Sequence, residues 1–355
     1  MKLIPTEPAH LSAEWLTETL RGHGHLPQGE VVAVEQTGVT NSYVATHVRL
    51  GLTYSLDAPE NAPARLFAKL SQEHPALGPK EAIFYGQVVQ RMAETVPRSA
   101  LPFVRCFGYG HDPESLRAFL FLEDVSDSHA PGQRPLPPTL HQCEGAIDAL
   151  AHLHAFFFED RAGMESLCEW PNRERIDQLF TDAVGNGADF LGVVGDRFSD
   201  ARRERLARIC AKWPRRRLQR TLDGVGLTLV HRDAHAGNFL FPHSGVGAAL
   251  LIDWDAWRVQ TGTDDLAYFM AAAWYPDLRA RWEVRLLRRY FSALESYGVT
   301  RYTWEDCLLD YRESIIRNLF TFVGGYRKGR APALWWERVE RLLMAYDEWA
   351  CGELE

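Results

Sequence analysis

No run of apolar residues in this 355-residue chain is long enough to span a bilayer, and its opening residues, MKLIPTEPAHLSAEW, carry no apolar core of signal-peptide length. The sequence therefore predicts no membrane span and a cytoplasmic setting. Cysteine is sparse. The six present (Cys106, Cys143, Cys168, Cys210, Cys307, Cys351) are scattered without a C-x-x-C pair, which argues against a disulfide scaffold or a zinc site and for reduced packing thiols. Positive charge is not in excess either: 39 Lys and Arg stand against 47 Asp and Glu, a formal net charge of −8. That excludes non-specific nucleic-acid binding by bulk charge and leaves only a local basic patch open. Repeats and low-complexity tracts are absent. A composition that is 46% hydrophobic allows a sizeable core, most simply in two lobes.

The most telling stretch present is residues 229–255, LVHRDAHAGNFLF followed by LLIDWD. It sets His231, Asp233 and Asn238 just after one short apolar run and Asp253 at the end of another. Phosphoryl transfer from a metal-bound nucleotide needs such a set: a carboxylate to meet the attacking hydroxyl, with an amide oxygen and another carboxylate to hold Mg²⁺ against the phosphates. Residues 227–230 read as a buried strand that delivers Asp233 to a loop. FLF reads as a second strand, 242–247 as a turn, and 248–252 as a third strand ending at Asp253. A lone His-x-Asp is an ordinary loop with a satisfied histidine; Asn238 and Asp253 at this spacing lift the pattern above that.

Upstream, residues 9–21 predict an amphipathic helix with Leu11, Trp15, Leu16 and Leu20 on one side and Ser12 as N-cap. Strands are expected at 31–34, 43–50, 65–70, 103–109 and 117–123, with a helix opening at Pro79 and running to about Thr95. A Pro-rich polar segment, 126–138, marks a boundary, so the expected division is 1–125 and 126–355. Beyond it the chain reads as mainly helical, at 139–158, 174–184, 200–222, 264–275, 278–297, 304–323 and 332–350. His152 and His154 read as packed rather than ligating. The run from Asp200 to Arg220, nine Lys or Arg against two acids, reads as a solvated helix face with Leu206, Ile209, Trp213 and Leu218 inward and a break at Pro214; proximity to an anionic substrate is the lesser alternative.

HRDAHAGN fits the H-x-D-x-x-x-x-N pattern of the eukaryotic-like kinase superfamily, and LIDWD followed by GTDDLAYF resembles its small-molecule branch, the aminoglycoside phosphotransferase and choline kinase-like proteins. LFLEDV together with HRD is also similar to ecdysteroid kinase-like relatives. The resemblance implies an α+β, bilobal protein kinase-like fold: an N-lobe with a five-stranded antiparallel sheet and one helix, and a mainly helical C-lobe. It implies ATP, with GTP not excluded, and Mg²⁺ as cofactors. The partners it implies are the nucleotide and a small hydroxylated acceptor, and it leaves the oligomeric state open.

Carried onto this sequence, the resemblance makes Lys69 in RLFAKL the phosphate lysine. Glu81 in EAIFY, which matches the branch's E-x-x-F-Y, is then its partner. A lysine among Phe67, Ala68 and Leu70 would in any case be costly to bury alone. TGVTNSY, matching G-x-T-N-S, becomes the loop over the triphosphate, with Thr40, Asn41 and Ser42 as phosphate contacts; an ordinary hairpin turn is the alternative reading. Glu123, Asp124 and Val125 become the hinge whose backbone meets the base. Asp233 orients or deprotonates the acceptor hydroxyl, Asn238 and Asp253 bind metal, and Asp255 serves either substrate or a second metal. His231 and His235 read as loop braces. Arg232 stands where the phosphotransferase pattern has Gly, and is expected as a structural ion-pair partner. Asp264 or Asp265 is expected as a helix N-cap beside the loop.

Eight of the eleven tryptophans lie beyond residue 250, where choline kinase-like proteins place their acceptor. Any single one of those rings reads as helix packing first. Three functions compete. The first is a kinase of an amino alcohol, aminoglycoside, sugar or lipophilic alcohol. The second is a protein kinase, against which the missing G-x-G-x-x-G, D-F-G and A-P-E count. The third is a catalytically silent nucleotide-binding or regulatory protein on the same fold.

Overall fold

Five antiparallel strands organise the first of two compact units. They are β1 (Val31–Asn41), β2 (Ala45–Tyr54), β3 (Arg65–Ser71), β4 (Cys106–His111) and β5 (Ala118–Glu123), in the order β1-β2-β3-β5-β4. The structure is a computed structural model and describes residues 4–42, 45–71, 79–170, 172–211, 215–327, 329 and 331–354. The first unit runs to Ala130 and also takes in Pro242–Ser244 and Leu250–Ala256. The second comprises Pro131–Phe241, Gly245–Ala249 and Trp257–Glu355.

In β3 the two-residue period of a strand sorts the side chains. Leu66, Ala68 and Leu70 join Val48, Leu50 and Phe121 in a core roofed by helix α1 (Ala13–Gly22), while Phe67 and Lys69 point to the opposite face. Ser12 caps α1 by accepting from the Trp15 amide at 3.1 Å. Trp15 meets Phe119 and Phe121 edge-on at 5.0 and 5.6 Å. The helical stretch 80–93 follows Pro79, but it is not uniform: α-helix at Lys80–Ile83 gives way to a π-turn at Phe84–Val88 before α-helix resumes at Val89–Ala93. β1 and β2 are both longer than the sequence predicts. Residue 43, where the second strand and the end of TGVTNSY were expected, lies outside the described residues.

In the second unit, helix Leu140–Phe157 starts from a capping box made by Thr139 and Gln142 and buries Ile147, Leu150, Leu153, His154 and Phe157. Strand Leu227–Val230 pairs antiparallel with Arg258–Thr261. The latter was not anticipated, although buried Trp257, Val259 and Thr261 alternate with half-buried Arg258 and Gln260. The basic run splits into Asp200–Ala211 and Arg215–Asp223. Leu206 and Ile209 are buried and Leu218 half-buried, whereas Trp213 and Pro214 lie outside the described residues. Helices Pro276–Ser296, Trp304–Arg327 and Trp336–Glu348 complete this unit. No helix among the described residues is long and apolar enough to cross a membrane.

Candidate active site

Within the first unit, Lys69 projects from β3 onto a carboxylate cluster. Its Nζ lies 2.5 Å from Glu81 Oε2, 2.8 Å from Asp253 Oδ1 and 3.1 Å from Asp255 Oδ2. Glu81 is held from both ends, because its other oxygen accepts from the Trp254 amide at 3.3 Å. Trp254 anchors this segment by stacking on Phe84 at 3.7 Å and meeting Phe103 edge-on at 5.3 Å, so its indole is core rather than pocket wall. Asp253 has a positive φ of 69°, a left-handed backbone that aspartate tolerates better than most residues. Its side chain is 43% exposed.

Three carboxylates share one ammonium, and the protonation equilibria record the deficit. Burial works against charge on Lys69, but Glu81, Asp253 and Asp255 outweigh it and hold the lysine well above its ordinary value. Burial, followed by the Glu81 charge, pushes the Asp255 carboxyl up to about 7. Carboxylate oxygens of Glu81, Asp253 and Asp255 lie within 4.8 Å of one another. With Glu81 occupied by Lys69 and Trp254, Asp253 and Asp255 are the hard oxygen donors suited to Mg²⁺.

A stability prediction follows. A carboxyl whose folded pKa is raised contributes stability that is complete below its unfolded value of 3.8 and lost as pH rises through about 7. In EDTA, the melting temperature of the chain falls over that interval, and Asp255→Asn flattens the fall; thermal melts at pH 5 and pH 8 decide it. Equal slopes in both proteins would mean that Asp255 is not the crowded group.

In the second unit the loop after strand Leu227–Val230 is clamped from below by one side chain. Asp265, fully buried, accepts from the backbone amides of His231 (2.6 Å) and Arg232 (2.8 Å) and pairs with His154 Nε2 at 3.2 Å. Burial alone would raise its pKa, but the His154 hydrogen bond, the neighbouring His154 and His231 imidazoles and the His231 amide hold it below the ordinary carboxylate value. This corrects the expected role of Asp265: Gly262 is the N-cap residue of helix Thr263–Phe269, and Asp265 ties the loop rather than capping its own helix. Asp265→Ala is expected to cost about 2–4 kcal/mol, because it strands two buried amides and a histidine. Urea unfolding measures it, and a loss under about 0.5 kcal/mol would refute the clamp.

Arg232 sits at φ 74°, in the left-handed region, which gives the Gly of the phosphotransferase pattern its physical reason. Among the described residues no carboxylate lies within 4.0 Å of its guanidinium; Nη1 donates to Thr321 Oγ1 at 3.3 Å. The expected ion pair is therefore replaced by a hydrogen bond, with Asp264 and Asp265 acting on the guanidinium itself through their field. His231 braces the loop, its Nδ1 accepting from the Asp233 amide at 3.3 Å. The His235 imidazole is held neutral, its pKa brought down to about 4 by burial against the pull of Asp233. Its Nε2 lies 3.7 Å from Asp233 Oδ2. Asn238, on a 3₁₀ turn, donates Nδ2 to the Asp233 carbonyl at 2.9 Å, which turns its amide oxygen away from that bond. Asp233 is 38% exposed, and its Oδ1 accepts from the Tyr268 hydroxyl at 2.5 Å.

The remaining predicted residues are distributed differently from expectation. Thr40 and Asn41 lie in β1 and not in a loop, with the turn beginning at Ser42. Asn41 Oδ1 accepts from Thr46 Oγ1 at 2.9 Å, and Ser42 closes the hairpin onto Ala45. At the expected hinge, the Glu123 amide donates to the Arg105 carbonyl and the Val125 carbonyl accepts from the Ser128 and His129 amides. The Asp124 carboxylate binds Ser126 and Arg65, which makes it a structural group. Of the C-terminal aromatics, Trp257, Trp274 and Trp335 are buried core, and Tyr311 and Trp349 both donate to Glu283.

Comparison with known proteins decides the family. The model of the ecdysteroid kinase-like family matches residues 64–299. The chain belongs to the ecdysteroid kinase-like family. Solved structures share the fold. A Ralstonia eutropha protein assigned as an aminoglycoside phosphotransferase matches at TM-score 0.55 and 15% identity, over 96% of this chain and 98% of that one. Choline kinase from Cryptosporidium parvum matches at 0.52 and 11%, over 89% and 88%. A choline/ethanolamine kinase family protein from Mesorhizobium loti matches at 0.51 and 14%, over 90% of each chain. No curated protein matches the sequence.

This ecdysteroid kinase-like chain thus has an α+β fold that it shares with kinase-like proteins acting on small molecules. What supports the Asp233 loop is not apparent from the sequence alone. His154, read only as packed, is the far end of the Asp265 clamp, and Tyr268, read only as an aromatic, reaches Asp233. The three-residue spacing of Asp265 and Tyr268 in GTDDLAYF was the available signal, because it sets both on one helix face.

Proposed function

We propose that this ecdysteroid kinase-like protein transfers the γ-phosphoryl group of ATP to a hydroxyl of a small molecule. The observation that carries the reading is the Asp233 loop: a part-exposed carboxylate on a backbone clamped by Asp265, with Asn238 five residues on. Asp233 aligns the acceptor hydroxyl and takes its proton as the oxygen–phosphorus bond forms and the bond to the ADP leaving group breaks. A loose transition state asks for this positioning more than for a strong base. Lys69, oriented by Glu81, binds the nucleotide phosphates. In the first unit Asp253 would supply a carboxylate to Mg²⁺, with Asp255 as a further acidic donor, and in the second unit Asn238 would offer its amide oxygen to a metal. The metal, when bound, neutralises charge building on the phosphates. Backbone groups of 123–125 not spent on Arg105, Ser128 and His129 read the base, which keeps GTP in the test beside ATP.

The decisive experiment is a nucleotide-consumption screen with ATP and GTP. The acceptors are choline, ethanolamine, an aminoglycoside, a sugar and an ecdysteroid, and Asp233→Ala is the control. Mg²⁺-dependent turnover of at least one acceptor, abolished in the control, supports the assignment. A folded protein that binds MgATP and MgGTP without turning over any acceptor would favour a silent binding protein instead.

A further inference from the structure

We propose that Tyr268 is a positioning residue for phosphoryl transfer: its hydroxyl pins Oδ1 of Asp233 so that Oδ2 meets the acceptor, and Arg338 in turn fixes Tyr268. The inference rests on the phosphotransferase reading above and concerns how that carboxylate is aimed.

The torsion that turns a carboxylate is broad and two-fold, so an aspartate held only through its backbone exchanges its two oxygens freely. Asp233 is not so held. Tyr268 donates to Oδ1 at 2.5 Å, within the range of a charge-assisted hydrogen bond. Among the described residues Oδ2 has only looser neighbours, Asn238 Nδ2 at 3.5 Å and His235 Nε2 at 3.7 Å. The direction of the chain is fixed by its far end. Arg338 Nη1 lies 3.0 Å from the Tyr268 oxygen, and arginine has no acceptor atom, so it donates to the phenol and the phenol's own proton goes to Asp233.

The ring itself is immobilised. Tyr268 is buried, packs against Phe322 at 5.3 Å, and lies with Phe322 under the Arg338 guanidinium at 5.5 and 5.0 Å. It also shares helix Thr263–Phe269 with Asp265, three residues earlier and on the same face. One short helix therefore grips the loop twice, at the backbone of His231 and Arg232 through Asp265 and at the side chain of Asp233 through Tyr268.

Tyr268→Phe removes the donor and keeps the ring. Its expected effect is a fall in kcat on the order of 10- to 100-fold, with MgATP affinity by calorimetry within about twofold of the parent. Arg338→Gln produces a smaller fall in the same direction. The discriminating readout is a double-mutant cycle. In the Asp233→Ala background, Tyr268→Phe changes the residual rate less than about twofold, because the group it positions is gone. A role confined to packing would cost the same factor in both backgrounds and overturn the proposal, as would parental kcat in Tyr268→Phe. The contact has its own probe: 3-fluorotyrosine placed at 268 gives a ¹⁹F resonance that moves on Asp233→Ala, and a resonance indifferent to that change refutes the pairing. Failure of the parent reading shows itself differently. An unaltered chain that phosphorylates no acceptor removes the phosphotransferase assignment before any Tyr268 variant is made, whereas turnover that survives Asp233→Ala leaves that assignment standing and overturns this proposal.

Discussion

Asp233→Ala is expected to reduce acceptor phosphorylation roughly 10²- to 10⁴-fold while leaving MgATP affinity within about twofold. The asymmetry follows from what the side chain does and does not support. The loop's conformation rests on Asp265 gripping the amides of His231 and Arg232, on His231 bracing the Asp233 amide, and on Asn238 bonded to the Asp233 carbonyl. All of these survive in alanine, because every contact made at residue 233 in that set is main-chain. What is lost is the carboxylate itself, together with the acceptor of the Tyr268 hydroxyl. Leaving that buried hydroxyl without its partner costs about 1–3 kcal/mol, a penalty the fold can absorb. Steady-state kinetics beside calorimetric titration with MgATP separates the two effects. Unchanged turnover would remove Asp233 from the reaction.

Lys69→Ala is expected to act on stability and on nucleotide binding together. Removing one partner of a buried ion pair leaves uncompensated charge, at a cost of about 3–5 kcal/mol. Here Glu81, Asp253 and Asp255 are all left facing one another. The sign with pH can be worked out. Without the ammonium, the three carboxyls hold their protons more tightly in the folded chain than in the unfolded one. The destabilisation is therefore largest above neutral pH and shrinks as the carboxyls protonate in acid. Melting in EDTA at pH 8 and pH 5 should show the larger loss at pH 8, and added Mg²⁺ should recover part of it. Productive nucleotide binding weakens in parallel, since Lys69 is the cation that these carboxylates orient. An unaltered kinetic profile would mean that a different cation serves the phosphates.

The two variants also show how unevenly the site could be read from the chain. Lys69 and Glu81 were named through the resemblance of RLFAKL and EAIFY to the family's motifs, and the structure brings the two together: the period that sends Leu66, Ala68 and Leu70 into the core sends Lys69 the other way, onto Glu81. Asp233, Asn238 and Asp253 were legible from spacing between short apolar runs. The π-turn at Phe84–Val88 was not, because it preserves the composition of a helix and changes only its hydrogen bonds. The extension of β1 through Thr40 and Asn41 was missed for a related reason: G-V-T-N is turn-like in composition, yet pairing with β2 continues past a register shift at Gly38. The role of Arg232 was misjudged because ion pairing was inferred from charge, whereas its backbone, at φ 74°, is the feature that matters.

By itself, the order of residues marked the short strands, the helix after Pro79 and the helical remainder, since each depends on local periodicity; the single five-stranded sheet and most of the candidate site residues came only with the resemblance to the kinase-like family. The tertiary structure alone decided which groups hold those residues in place. Asp265 reaches back 111 residues to His154, and Arg338 lies 105 residues beyond Asp233, bridged to it by Tyr268. It also decided that three carboxylates would crowd one lysine and push Asp255 toward neutrality. Hydrogen bonds and burial act over a few ångströms of space whatever the separation along the chain, and no local pattern records which distant residues will be brought that close.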